Sequence, residues 1–328
     1  MSTNRIAGAA AIACLLLTIG GLFNPQTLQA GGAWVPGQGK GYIQAGFSSK
    51  FADRVWDDNH DELIRTNAEG GKHIHEFHYG YLSGEIGLID KLSGTFVFTY
   101  LWGREGYDNE ELEINNGLSD AWIGLKYSLT QGEWPMAVQV VLRTPFFYDQ
   151  DGPYTRHLYH IGRYRLPDGT TVADTTFLAI NNPEWRGLNK HDLTMAFLVS
   201  HSMPDLNNAW LNLRAGLTLR EGAPADEIPL GFDFGLDVPV GTFRPKLTAG
   251  VSAVFSLGNN STADPNDRFN FPPGSDYDFN DADMVRGHIS AILPVFDNLD
   301  FEIGYAQWLW GRGARQYKEP FASLALKL

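Results

Sequence analysis

The sequence predicts an all-β chain: a transmembrane, antiparallel, up-and-down β-barrel of about twelve strands, with short periplasmic turns and long outer loops. Three observations lead there. The chain opens on an export signal, the remainder alternates apolar and polar residues in runs, and the connections between runs alternate short and long.

Met1–Ala30 carries one charge, Arg5, then an apolar stretch from Ile6 to Phe23, and a small residue, Ala30, at the cut. That is the layout of a secretory signal. Residues 1–30 are therefore read as a cleaved signal peptide and 31–328 as an outer-membrane β-barrel, with a mature N-terminus at Gly31. A retained anchor is the alternative. Cys14 has little apolar sequence ahead of it, the wrong order for a lipoprotein cut. No cysteine follows residue 30, so no disulfide supports an exported fold. A closed barrel, which leaves no strand edge unpaired, supplies stability instead. No later apolar run reaches the roughly eighteen residues of a membrane helix. The net charge of −13 becomes more negative without Arg5 and argues against a nucleic-acid partner.

The strands follow from where charges fall. A charge facing lipid near the midplane costs about 2 kcal/mol, so Glu85 in Tyr81–Ile89 points inward. Tyr81, Ser83 and Gly87 share its face, and Leu82, Gly84, Ile86 and Leu88 face lipid. Leu92–Trp102 turns Phe96, Phe98, Tyr100 and Trp102 outward. Asp120–Leu129 turns Ala121, Ile123, Leu125, Tyr127 and Leu129 outward, against Asp120 and Lys126. Met136–Arg143 opposes Val138, Val140 and Leu142 to Gln139 and Arg143. Trp210–Arg220 opposes Leu211, Leu213, Leu217 and Leu219 to Arg214 and Arg220.

The later runs repeat the sorting. Inward residues are Asp233 and Asp237 in Leu230–Val238, Lys246 in Lys246–Leu257, and Arg286 and His288 in Val285–Leu293. Glu302 and Lys327 play that part in the last two runs, and Asp192 in Asp192–Ser200; Gly41–Phe51 completes the set. A soluble sandwich would also alternate, but it would not put a charge on the polar face of nearly every strand and keep the other face free. Short connections fall at 90–91, 131–134, 204–207, 241–242 and 296–298. Long ones fall at 53–72, 104–117, 149–190 and 258–283, with shorter examples near 221–227 and 311–318. With periplasmic termini, every long loop lands outside.

The segment after Gly80, YLSGEIGLIDKLSGTFVFTYLWG, and GLSDAWIGLKYSL at Gly117–Leu129 resemble hairpins of outer-membrane transporters linked to meta-pathway phenol degradation. GAWVPGQGKGY at Gly32–Tyr42 resembles the mature start of XagA-type barrel proteins. The resemblance implies an outer-membrane barrel and a transport role.

The lumen-lining set is Glu85, Lys126, Arg143, Asp192, Arg214, Arg220, Asp233, Asp237, Lys246, Arg286, His288, Glu302 and Lys327. It reads equally as a polar passage or as an interior packed with paired charges, with Asp233 or Asp237 as carboxylate partner for Arg214. The 149–190 loop interleaves Tyr154, Tyr159 and Tyr164 with Arg156, Arg163 and Arg165, a pattern for a constriction at the mouth or contacts to lipopolysaccharide. His73 and His75 share a strand face within HIHEFH, and His157 and His160 could add ligands. Without supporting carboxylate spacing they are read as polar rim residues, and no metal or cofactor is assigned. Asp276-x-Asp278-x-Asn280 opens like a calcium loop, but Asp281 and Gly287 stand where Gly and Glu belong, so the segment is a solvated acidic loop. Gly37-x-Gly39-x-Gly41 reads as a flexible lead-in.

The expected function is a channel or transporter for a small polar or aromatic solute in the bacterial outer membrane. Its partners are membrane lipid, lipopolysaccharide and the barrel-assembly machinery. The alternative is a structural or envelope-assembly barrel linked to polysaccharide export. A lipase-type enzyme needs a Ser and a His facing lipid near the outer rim. Strand phase puts His201 outward but at the periplasmic rim, the sequence offers no adequate triad, and no enzyme is expected.

Overall fold

The computed structural model describes residues 32–56, 60–64, 70–109, 113–145, 156–165, 171–179, 191–221, 225–241, 243–258 and 282–328. Residues 1–30, the expected signal peptide, lie outside them. Twelve strands pair in chain order: β1 (Gly41–Ala52), β2 (His73–Ile89), β3 (Leu92–Tyr107), β4 (Glu113–Thr130), β5 (Met136–Thr144) and β6 (Asp192–Met203) form one half. The other half is β7 (Ala209–Arg220), β8 (Glu227–Asp237), β9 (Lys246–Ser256), β10 (Asp283–Phe296), β11 (Leu299–Arg312) and β12 (Lys318–Lys327). β12 returns to β1, with Lys327 opposite Tyr42, and closes the barrel. Every barrel pairing is antiparallel between neighbours, as the alternation predicts.

The outer face carries the apolar set. Leu82, Ile123, Leu125, Val138, Val140, Leu142, Leu213, Phe232, Leu247, Ile289 and Ile303 are all exposed there. A hydrophobic surface of this extent is stable against lipid and not against water. Aromatics mark its borders: Trp102, Phe51 and Trp310 near the long-loop end, Trp134, Phe243 and Phe296 near the short-turn end.

Two bulges refine the predicted phase. β4 carries an extra residue between the partners of Phe98 and Tyr100, and Ser119 and Asp120 are both buried there. Ala121 keeps its expected outward phase, opposite Phe98, but is covered by its neighbours. β11 bulges opposite Val285–Arg286, leaving Trp308 buried while Leu309 and Trp310 are both exposed.

The loops depart more from expectation. β3 and β4 extend to Tyr107 and from Glu113, so the expected 104–117 loop is mostly strand. Within 149–190, Arg156–Arg165 pairs antiparallel with Thr171–Ala179. Val55–Trp56, Glu62–Leu63 and Ala314–Arg315 form a small sheet above the barrel, joining the first loop to the last. Trp56 packs there against Trp308 and Ala314.

Candidate functional site: the barrel interior

The segment before β1 is not a loose lead-in. It is built into the interior at the short-turn end. Gly39 N–H donates to Gly87 O (2.9 Å) and Gly87 N–H to Lys40 O (2.8 Å), which fixes the segment along β2. At its far end Ala33 N–H donates to Ser200 Oγ on β6 (2.7 Å), Ser200 donates to Asn212 Oδ1 on β7 (2.6 Å), and Lys126 Nζ on β4 donates to Gly32 O (3.1 Å). Ala33 packs with Ala137 and Leu198. The chain thus crosses the barrel from β2 toward the opposite wall. Glycine is required along this path: a Cβ on Gly87 would lie 2.1 Å from Gly37 O, and one on Gly32 would lie 2.0 Å from Asn212 Oδ1.

Beneath that crossing, Lys126 is 2% exposed and Glu85 4%. They form an ion pair of 2.7 Å, and Ser93 Oγ donates to the same carboxylate (2.6 Å). A buried pair tolerates desolvation only with such supporting bonds.

Toward the outer end, five charges alternate across β4 to β8. Arg143 Nε donates to Asp120 (2.7 Å) and lies 3.6 Å from Asp192. Arg220 reaches Asp192 (3.4 Å) and Glu227 (2.7 Å). The register creates the ladder, since Asp192 stands between Arg143 and Arg220 on adjacent strands. Arg143 also stacks over Trp122, 5.1 Å from its centroid.

The remaining wall is less enclosed. Arg214 is exposed although Asn212 and Thr218, on its face of β7, are buried. Its cross-strand neighbours are Leu198 and Gly231; Asp233 stands opposite Asn212, and Asp237 accepts from Asn208 Nδ2 (2.9 Å). Among the described residues no ion pair closer than 4.0 Å engages Arg214, although Asp233 is near enough to attract it electrostatically. Asp233 lies 3.5 Å from His288 with its side chain 44% exposed. Arg286 pairs with Glu319 (3.1 Å) and Lys327 with Asp300 (2.9 Å). Lys246 stands opposite Asp237 in register. Glu302 accepts from Ser290 (2.7 Å), Gln44 (3.2 Å) and Ser323 (3.3 Å), a carboxylate held by neutral donors.

Nearer the outer mouth, Lys50 Nζ sits over Tyr79 (4.8 Å), Trp308 (5.3 Å) and Tyr317 (5.9 Å). Strand phase alone had not singled out Lys50, because the rings come from three separate elements.

His75 is buried and contacts Tyr317 Oη (2.9 Å) and Arg315, while His73 stacks edge-on against Tyr107 (5.2 Å). Among the described residues no three His, Cys, Asp or Glu groups gather as metal ligands. The side chains of Tyr154, Arg156, His157, Tyr159, His160, Arg163, Tyr164 and Arg165 lie outside the described residues, as does the acidic stretch 259–281. Asp283, at its end, pairs with Arg312 (3.0 Å).

No protein-family model matches this chain, and no curated protein does. Solved structures do. The COG4313 outer membrane channel from Pseudomonas putida F1 superposes with a TM-score of 0.56 at 11% identity, over 92% of this chain and 100% of that one. The fold is that of an outer-membrane β-barrel. The β-domain of the Bordetella autotransporter Brka (TM-score 0.46, 10% identity, 89% of this chain, 100% of that one) is more distant. So is the CymD monoaromatic hydrocarbon channel (0.39, 10%, 89% and 89%).

Proposed function

We propose that this chain is an outer-membrane channel for a small polar or aromatic solute, with its passage displaced toward the β7–β12 wall. The observation that carries the reading is Arg214. A cation exposed to water on the enclosed face of a closed barrel, with no close ion pair among the described residues, costs little only where water or solute reaches it. The Asp233 side chain beside it is similarly accessible. On the other side, the buried Glu85–Lys126 pair and the Gly32–Lys40 crossing fill the space.

The lumen set therefore divides. Glu85, Lys126, Arg143, Asp192 and Arg220 act as struts, while Arg214, Asp233, His288, Arg286 and Glu302 line the passage. Asp237, Lys246 and Lys327 belong to its periplasmic end. Lys50 beneath its three rings suits a solute with a π-face, an anionic group, or both. Arg163 and Arg165 are proposed to shape the mouth. The COG4313 likeness at 11% identity speaks for the fold, and the channel reading rests on the interior.

Planar-bilayer conductance of the purified protein tests it. Arg214→Glu should shift ion selectivity toward cations while the barrel assembles normally. Absence of conductance from wild type, together with no solute uptake into proteoliposomes, would remove the channel reading.

A further inference from the structure

We propose that Ser49, His78 and Glu76 form an acyl-ester hydrolase site on the lipid-facing surface, at the outer rim of the barrel. β1 and β2 pair so that Ser49 stands directly opposite His78, with Glu76 two residues along the same face. Ser49 Oγ lies 2.8 Å from His78 Nδ1. His78 Nε2 lies 3.2 Å from Glu76 Oε1. Glu76 Oε2 in turn accepts from Arg104 Nε at 2.6 Å. One tautomer satisfies every contact: Nε2–H donates to Glu76, and the Nδ1 lone pair accepts the Ser49 hydroxyl proton. That is a nucleophile, a base and an orienting carboxylate in sequence. Here serine meets Nδ1 rather than Nε2, and either ring nitrogen can take the proton.

The location fits a lipid ester. Phe47 and Trp102 flank the His78 ring at 6.0 and 5.6 Å, and Phe51 meets it edge-on at 6.0 Å. All three flanking rings are exposed on the outer face. Glu76 and Arg104 are the first outward charges beyond Leu82 on β2 and Phe98 on β3. The site therefore sits where the apolar belt gives way to charge, the depth at which acyl esters join chains to headgroups. Gly80 stands between Phe47 and Tyr100 in the register. A Cβ there would meet the Trp102 ring at 3.6 Å, ordinary van der Waals contact, so the glycine leaves a shallow notch beside the site. Ser49 is covered by its neighbours, and a lipid reaches it by turning aside the ring of Phe47 or Phe51.

The chemistry balances without a cofactor. His78 Nδ1 takes the Ser49 proton as Oγ bonds to the ester carbonyl carbon. The carbon–alkoxide bond then breaks, and the imidazolium returns the proton to the leaving alcohol. Water, deprotonated by the same nitrogen, releases the fatty acid and restores Ser49. Glu76 is a positioning residue, and Arg104 holds its carboxylate.

The test uses the full-length protein in phosphatidylethanolamine vesicles, with and without lipopolysaccharide. A fluorophosphonate probe and fatty-acid release are the two readouts. Labelling should map to the Ser49 peptide by mass spectrometry. Ser49→Ala should abolish it and lower release about 100-fold or more, with heat-modifiable gel mobility unchanged. Glu76→Gln should lower the rate and move the acid-limb midpoint of its pH profile to lower pH, a shift that a purely structural role would not give. Release from phospholipid alone, or only with lipopolysaccharide present, identifies the ester source. Wild type that neither labels at Ser49 nor releases fatty acid from either membrane overturns the proposal, as does undiminished release by folded Ser49→Ala.

Discussion

Lys126→Met probes the interior most sharply. The ammonium is 2% exposed, contacts Glu85 at 2.7 Å and donates to Gly32 O at 3.1 Å. Removing it leaves a carboxylate 4% exposed with the neutral Ser93 hydroxyl as its remaining donor among the described residues. Breaking a buried pair from one side costs about 3–5 kcal/mol. The lost bond to Gly32 O adds about 1 kcal/mol. Replacing both partners should cost far less, since Glu85→Leu with Lys126→Met leaves no unpaired charge. The assay is urea titration in lipid vesicles read by heat-modifiable mobility, run as a double-mutant cycle. A second readout is conductance, which should rise in both variants because the Gly32 end of the crossing segment is released. If the single change costs under about 1 kcal/mol, or if the two changes simply add, the pair is not the buried strut described.

Other outcomes follow from the same geometry. Leu213→Arg, at a site 43% exposed on the outer face, should cost about 2–4 kcal/mol if it lies near the midplane; Arg214→Leu should fold nearly as well in the same titration and alter ion selectivity. Gly87→Val would push a Cβ to within 2.1 Å of Gly37 O and should displace the crossing segment, seen as protease sensitivity near Pro36 and larger single-channel currents. The Glu62 carboxyl is held below its ordinary pKa, first by the hydrogen bond from Arg54 and then by that from Gln316. A depressed value means the contact stabilises the small outer sheet fully above the unfolded pKa and is lost as pH falls through the folded one. A carboxyl-carbon NMR titration should show a midpoint below the ordinary value, restored upward by Arg54→Ala.

Much of the architecture was legible in the residues. Period-two alternation, with Glu85, Lys126, Arg214 and Glu302 each confined to one face, fixes strand number and facing because a misplaced charge is costly in lipid. Connection lengths then fix which end is outside. The bulges at Ser119–Asp120 and Leu309–Trp310 were not legible, since an extra residue leaves composition unchanged while reversing the phase beyond it.

What the chain alone determined is thus a closed barrel, its two faces and the charges enclosed by it. What only the tertiary structure decided is which residues meet. Ser49 and His78 are 29 positions apart, and Arg315 reaches His75 across 240. Alternation assigns a face but not a register, and register decides which side chains stand opposite each other across a strand pair. The Gly-rich start gives the same lesson. Gly32–Lys40 carries no periodic signal, and its place inside the barrel follows from hydrogen bonds to the Gly87 backbone and the Ser200 hydroxyl, on strands far apart in the chain.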